Sequence, residues 1–308
     1  MKIVVFGTGG VGGFFGGKLA LAGHDVTFVA RGKHLKTIKN NGLKVKSING
    51  DFQVQPKAVS ALDGSFKADM VIIAVKSWQL QEAASAIVPV LDENTMVLPL
   101  LNGANIADRL AELIDPKHVI AGLCRIVSRI EAPGIIDHFA FEKPEIIFGL
   151  YSGETNKELQ KIKSILDQAG IHNKLSEHIQ LDIWKKFLFI TMISGMGAIT
   201  RSSFGVMRED EQVRNLIYRT GTEIVSIANA MNIDLNNKDI EKSFDAVDQT
   251  LYNTTASMQR DIMEGRASEL ENFNGYIVEM GKKLHVSTPV NAFVFHCLMP
   301  QERAARKA

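Results

Sequence analysis

Gly7, Gly9 and Gly12 stand at the spacing G-x-G-x-x-G, directly behind the apolar run Ile3-Val4-Val5-Phe6. Behind a buried strand each glycine has its own task. The first permits a tight turn, the second lets a pyrophosphate approach the backbone, and the third lets the following helix pack on the strand. The loop Gly7-Thr8-Gly9-Gly10-Val11-Gly12 is thus a candidate dinucleotide site, its helix N-terminus offering amides and a positive dipole end to phosphate. A second strand over 24–29 leads to Arg31, with Lys33 nearby and no acid at 29–31. An acid there would bind the ribose 2′-hydroxyl of NAD, whereas an arginine suits the 2′-phosphate of NADP. A solvated surface arginine is the alternative. The expected cofactor is NADP(H).

Further side chains fall at strand ends, where open α/β sheets collect ligands. Lys76 follows an apolar strand over 70–75. It can meet a cofactor phosphate or ribose, or the substrate, or lie as a loop lysine with its stem on apolar surface. Asn102 follows a strand over 95–101. Its amide both donates and accepts, which suits a nicotinamide edge or a substrate hydroxyl, although Asn102-Gly103 is equally a turn signal. Hydride delivery to a carbonyl leaves alkoxide character on oxygen, so a proton donor is needed. Lys186, two residues after Trp184 on a strongly apolar stretch, is a candidate, since desolvation lowers an amine's pKa. Its neighbour Lys185 keeps open the reading of a surface lysine. Glu269, four residues before Phe273 on the flank of an apolar stripe, is the matching carboxylate.

The elements that must position these residues read as two domains. An α/β Rossmann-type N-terminal domain with a parallel sheet is expected over 1–176, and an all-α domain for substrate and dimerisation over 177–308. In the first, strands at 3–6, 24–29, 70–75 and 95–101 alternate with helices at 11–22, 80–91 and 105–113. A hairpin is expected about Asn49-Gly50, as a decoration of the sheet. Further strands are expected at 119–128, 134–139, 145–149 and 171–175, and a helix at 155–168. His138 and His172 read as structural. From about Ser176 the pattern is helical: an apolar helix over 182–194, others at 209–231 and from 239 to 248, and a helically spaced stretch over 257–285. Gly195 and Gly197 would let another backbone approach. Thr288-Pro289 reads as the start of a last helix over 290–298.

The 308 residues are enough for two domains with ample core, and 45% hydrophobic and 22% charged residues are ordinary for a globular protein. Lys and Arg number 35 against 34 Asp and Glu, a formal net charge of +1, so no global field favours nucleic acid or an anionic membrane. Cys124 and Cys297 lie far apart with no partner at metal-ligand spacing, so no metal site is expected. As the chain enters a strand at once, neither a signal peptide nor a stretch fit to span a bilayer is expected. A soluble, cytoplasmic protein is expected, with a homodimer compatible with its apolar helices.

The motif set Gly7-x-Gly9-x-x-Gly12, Arg31, Val75-Lys76-Ser-Trp-Gln79, Leu101-Asn102-Gly103, Trp184-x-Lys186 and Ser257-Met-x-x-Asp261 followed by Glu269 resembles the ketopantoate reductase (2-dehydropantoate 2-reductase) family. The resemblance runs from Met1 to Pro300, with the motifs in family order. It implies NADPH-dependent reduction of a small 2-oxo acid, ketopantoate, to pantoate. It further implies Lys186 as general acid, Glu269 as the carboxylate that contacts the substrate hydroxyl and orders the site, and Asn102 near the nicotinamide and the catalytic lysine. Ser257 would help bind the substrate carboxylate, Lys76 would stand at the cofactor rim, and Arg31 would read the 2′-phosphate. One departure stands out. Many members carry asparagines four and eight residues after the catalytic lysine, where this chain has Ile190 and Ser194. The substrate side is thus less polar, with Ser194 left to bind substrate beside Lys186, Ser257 and Glu269. A reductase of another 2-oxo acid is the alternative, and a non-catalytic NADP(H) sensor a more distant one.

Overall fold

A computed structural model describes residues 1–307. The chain divides into two compact units, Met1–Ile179 and Gln180–Ala308. In the first, β1 (Lys2–Phe6), β2 (Asp25–Val29), β5 (Lys57–Val59), β6 (Met70–Ile73) and β7 (Met96–Pro99) form a sheet of order β5-β2-β1-β6-β7. Every pair in it is parallel. Such strands are covered on both faces, and β6 accordingly is Met-Val-Ile-Ile with each side chain fully buried. The crossovers include α1 (Gly10–Leu21), α2 (Gly32–Asn41) and α3 (Leu80–Ile87), and α4 (Ile106–Ala111) follows β7.

The hairpin about Asn49-Gly50 forms, as β3 (Leu43–Ser47) antiparallel to β4 (Phe52–Val54). It does not decorate the parallel sheet. Through β3 it joins a second, mixed sheet with β8 (Ala121–Ala132), β9 (Ile135–Gly149) and β10 (His172–Leu175). The two strands expected at 134–139 and 145–149 are one strand, β9. Its register against β8 jumps from Ala140 opposite Val127 to Glu145 opposite Arg125. The intervening 141–144 bulge out, with Phe141 at φ 73°, so the polar Glu142-Lys143-Pro144 interrupts pairing without ending the strand. Helix α5 (Lys157–Gln168) packs beside β10.

Helix α1 lies between the two sheets, which explains its glycines. A Cβ on Gly12 or Gly16 would strike Val5 or Phe28 of the parallel sheet, and one on Gly13 or Gly17 would strike Ile136 or Phe52 of the mixed sheet. With both flanks in close contact the helix has no room for an amphipathic pattern.

The second unit is helical: α6 (Ile179–Thr200), α7 (Phe204–Glu209), α8 (Glu211–Ala230), α9 (Asn237–Asp248), α10 (Ser257–Met263), α11 (Tyr276–Leu284) and α12 (Pro289–Ala305). The helix expected at 209–231 is α8, where the Asp210 carboxylate caps by accepting from the Val213 amide at 2.9 Å. The stretch 257–285 is not continuous. Gly265, at φ 70°, ends α10, and a π-helical turn at Glu271–Gly275 precedes α11. Gly195 and Gly197 admit side chains rather than a backbone: Val294 and Asn274 pack on the first, Gln259 on the second. Among the described residues no helix is long and apolar enough to cross a membrane.

Candidate active site

In the first unit the candidate residues share one rim. The glycine loop leaves β1, Arg31 follows β2, Lys76 follows β6 and Asn102 follows β7. The order β2-β1-β6-β7 therefore sets Arg31, the loop, Lys76 and Asn102 side by side along the carboxyl ends of the strands.

Gly7 has φ 99°, and a Cβ on it would come within 2.7 Å of the Ala74 carbonyl oxygen, so only glycine makes this turn. Thr8 is buried and donates its hydroxyl to the Val29 carbonyl at 3.0 Å, pinning the loop to β2. Gly9 differs from both. Its φ is −84°, open to any residue, and a Cβ there would meet nothing within 4 Å. The fold makes no demand for glycine at that point, and the space over its backbone is open to an approaching group. Behind it Gly10, Val11 and Gly12 begin a 12-residue helix with no acidic residue in its first turn, so its amides and dipole end are available to an anion. Arg31, Lys76 and this helix start make a cationic rim that fits a phosphate-bearing dinucleotide.

Arg31 is exposed and ion-paired with Glu82 of α3. The Lys76 ammonium lies 5.9 Å from the ring centroid of Trp78, and its backbone amide donates to the Gln79 side-chain oxygen at 3.3 Å. After Asn102, Gly103 adopts φ 137°, so the turn signal and the rim position coexist. Asn105, at the start of α4, keeps its amide oxygen buried without a hydrogen-bond partner, an acceptor the protein leaves unused.

Sequence reading passed over two residues of this unit. Glu82 lies far from Arg31 in the chain and gives no local signal. His34 accepts the Gly134 amide on Nδ1 at 3.0 Å, tying α2 to the β8–β9 turn. Burial holds its pKa below the ordinary 6.5, against the opposing effect of a hydrogen bond with the Thr8 backbone.

The second unit carries Lys186, Ser194, Ser257 and Glu269. On α6 the neighbouring lysines part company. Lys185 stands 3.7 Å from the buried carboxylate of Asp239, so it serves the packing of α9. Lys186 lies on a different face, one turn before Ile190 and two before Ser194. Trp184 and Phe187 flank it and are almost fully buried. Phe187 meets the rings of Phe273 and Tyr276, both at 6.1 Å, and Trp184 meets Tyr276 at 6.4 Å. This aromatic seam joins the turn of α6 that bears Lys186 to the segment that begins at Glu269, itself buried.

Ser257 is exposed at the first position of α10. Two residues on, fully buried Gln259 donates to the Ser202 carbonyl at 2.7 Å and accepts the Ala256 amide at 3.2 Å. With Gly197 against its amide, Gln259 fastens the start of α10 to the end of α6. Ser194 is buried, and its hydroxyl donates to the Ile190 carbonyl of its own helix. Its proton is committed, which leaves lone pairs alone for any other group. At Ile190 the side chain offers no hydrogen bond at all.

A glycine loop at the rim of a parallel sheet, followed by a helical unit with a lysine and a buried carboxylate on packed elements, defines a two-unit oxidoreductase built on a dinucleotide-binding sheet. The sequence profile of ketopantoate reductase PanE/ApbA matches residues 3–153, and that of the PanE/ApbA C terminal matches 178–302. The uncharacterized oxidoreductase YkpB of Bacillus subtilis (strain 168) is 30% identical over 303 residues, covering 98% of this chain and 99% of its own. A PanE/ApbA family ketopantoate reductase from Ralstonia eutropha JMP134 superposes with a TM-score of 0.90 at 28% identity, over 99% of this chain and 100% of that one. A D-mandelate dehydrogenase, solved with NADH and anilino(oxo)acetate, shares the fold at a TM-score of 0.91 and 23% identity, over 99% of each chain. The chain belongs to the ketopantoate reductase family.

Proposed function

We propose that the protein is a cytoplasmic, NADPH-dependent 2-dehydropantoate 2-reductase, reducing ketopantoate to pantoate for pantothenate and coenzyme A biosynthesis. The observation that carries this reading is the separation of the two lysines on α6: Asp239 takes Lys185, while Lys186 keeps a separate face beside the aromatic seam that leads to Glu269. A module that only bound the cofactor would need neither Lys186 nor a buried Glu269.

The glycine loop holds the pyrophosphate, Arg31 leaves Glu82 to pair with the 2′-phosphate, and Lys76 and Asn102 complete the cofactor rim. When bound, the reduced nicotinamide supplies a hydride to the carbonyl carbon. Lys186 gives its proton to the carbonyl oxygen as negative charge develops there. Glu269 accepts the substrate hydroxyl, and Ser257 donates to the substrate carboxylate. A homodimer through the helical unit, whose Val206, Leu216 and Phe293 are exposed, belongs to the same proposal.

A second reading rests on Ile190 and Ser194. With one side chain unable to hydrogen-bond and the other's proton spent on its own helix, a less polar or bulkier 2-oxo acid fits this stripe. The D-mandelate dehydrogenase sharing this fold lends it support. Steady-state consumption of NADPH with ketopantoate beside other 2-oxo acids separates the two. Preference for ketopantoate upholds the first reading, and preference for an apolar 2-oxo acid the second. Silence throughout, with NADPH still bound, leaves the sensor.

A further inference from the structure

Glu302, on α12, is almost fully buried and belongs to none of the groups assigned above. Both its oxygens accept the Ser268 amide at 3.0 Å, and one accepts the Ser268 hydroxyl at 2.5 Å. The Arg306 guanidinium, one turn further along α12, pairs with it at 2.8 Å. A buried carboxylate is costly unless it is paired and fully hydrogen-bonded, and this one is. What it grips is the residue immediately before Glu269.

The surrounding bonds fix that segment from both sides. The Ser268 hydroxyl also accepts the Leu270 amide at 3.3 Å, bridging across Glu269. The Glu269 carbonyl accepts the Asn272 and Phe273 amides at 3.0 Å each, starting the π-helical turn. Upstream, the Arg266 side chain binds the Asp261 carboxylate at 2.7 and 3.1 Å, and its amide donates to the Asp261 carbonyl. The segment between α10 and the π turn is irregular backbone, and irregular backbone does not by itself hold a side chain in one direction.

We infer that Glu302 is a positioning residue for the reaction: through Ser268 it fixes the backbone that aims the Glu269 carboxylate. The inference rests on the role proposed for Glu269. Displacing a catalytic group by about 1 Å can cost roughly a hundredfold in rate, so loss of this grip is read in turnover.

The test is a double-mutant cycle on the full-length protein, with kcat, KM and NADPH affinity measured for Glu302→Gln, Glu269→Gln and the pair. Glu302→Gln is expected to lower kcat at least about tenfold and leave NADPH affinity unchanged. In the Glu269→Gln background it should cost nothing further, because there is no carboxylate left to aim. Equal loss in both backgrounds, or a fall in melting temperature with kcat intact, would overturn the inference and make Glu302 a brace for α12. Should Glu302→Gln not fold, Ser268→Ala decides by the same cycle, since it keeps the amide bond and removes the hydroxyl bridge. Full turnover in Glu269→Gln alone refutes the role of Glu269 and is seen independently of Glu302.

Discussion

A single methyl group on Gly9 separates packing from binding. A Cβ at this position meets no protein atom within 4 Å, and the backbone at φ −84° accepts alanine. Gly9→Ala should therefore fold normally, and reduced freedom of the unfolded chain would stabilise it by about 0.4–1 kcal/mol. Its neighbours behave otherwise. A Cβ on Gly12 would lie 2.1 Å from the Gly7 carbonyl oxygen, an overlap of the kind that costs about 1–3 kcal/mol or more. If a pyrophosphate approaches the backbone at Gly9, the methyl group displaces it from one helix-start amide. A hydrogen bond to a charged group contributes about 1.5–3 kcal/mol, so NADPH should bind roughly ten- to a hundredfold more weakly. Calorimetric titration with NADPH, beside thermal melts of both variants without ligand, checks this. Unchanged affinity in Gly9→Ala would refute the assignment of the loop to the cofactor. A melting temperature that fell as far as that of Gly12→Ala would show that the glycine serves packing.

Four further outcomes are expected. Arg31→Ala should weaken NADPH far more than NADH without lowering the melting temperature, because the exposed pair with Glu82 contributes at most about 1 kcal/mol; equal loss for both cofactors would contradict it. Lys186→Ala should reduce turnover by orders of magnitude with NADPH affinity kept. Lys185→Ala should instead lower stability by about 0.5–1 kcal/mol, Lys185 being partly exposed, and reversed effects would exchange the two roles. For His34, burial depresses the folded pKa below 6.5. As pH falls through 6.5 towards that value, the unfolded chain takes up a proton the folded chain resists, so stability present at neutral pH is lost on acidification. Urea melts at about pH 7.5 and about pH 5 should show that loss, and His34→Gln should reduce it.

The parallel sheet was legible because its strands are continuous apolar runs, each followed by a helix, and Gly7 and Gly12 announce the first turn. The mixed sheet was not. Its pairings are non-local, and Glu142-Lys143-Pro144 looks like a strand end until β8 shows that β9 bulges past it. Helical periodicity over 257–285 concealed the break at Gly265 and the π turn, since apolar spacing records which residues are buried and not whether the backbone is continuous. The glycine loop, Arg31, Lys76 and Asn102 could each be placed at the end of a strand from the apolar runs before them, while their order along the rim came from the sheet. That Lys185 rather than Lys186 pairs with Asp239 could not be foreseen, because Asp239 enters from another helix. Glu302 gave no signal, since its partner Ser268 meets it only in three dimensions.

If the protein is a reductase, a hydride passes from NADPH to the carbonyl carbon of a 2-oxo acid. The most direct measurement uses NADPH deuterated at the transferring position of C4, with ketopantoate as acceptor, and reads the product by mass spectrometry. Pantoate carrying deuterium at C2, formed by the wild type and all but lost in Lys186→Ala, is the predicted result. Unlabelled product, or none from any 2-oxo acid offered while NADPH remains bound, would contradict the account.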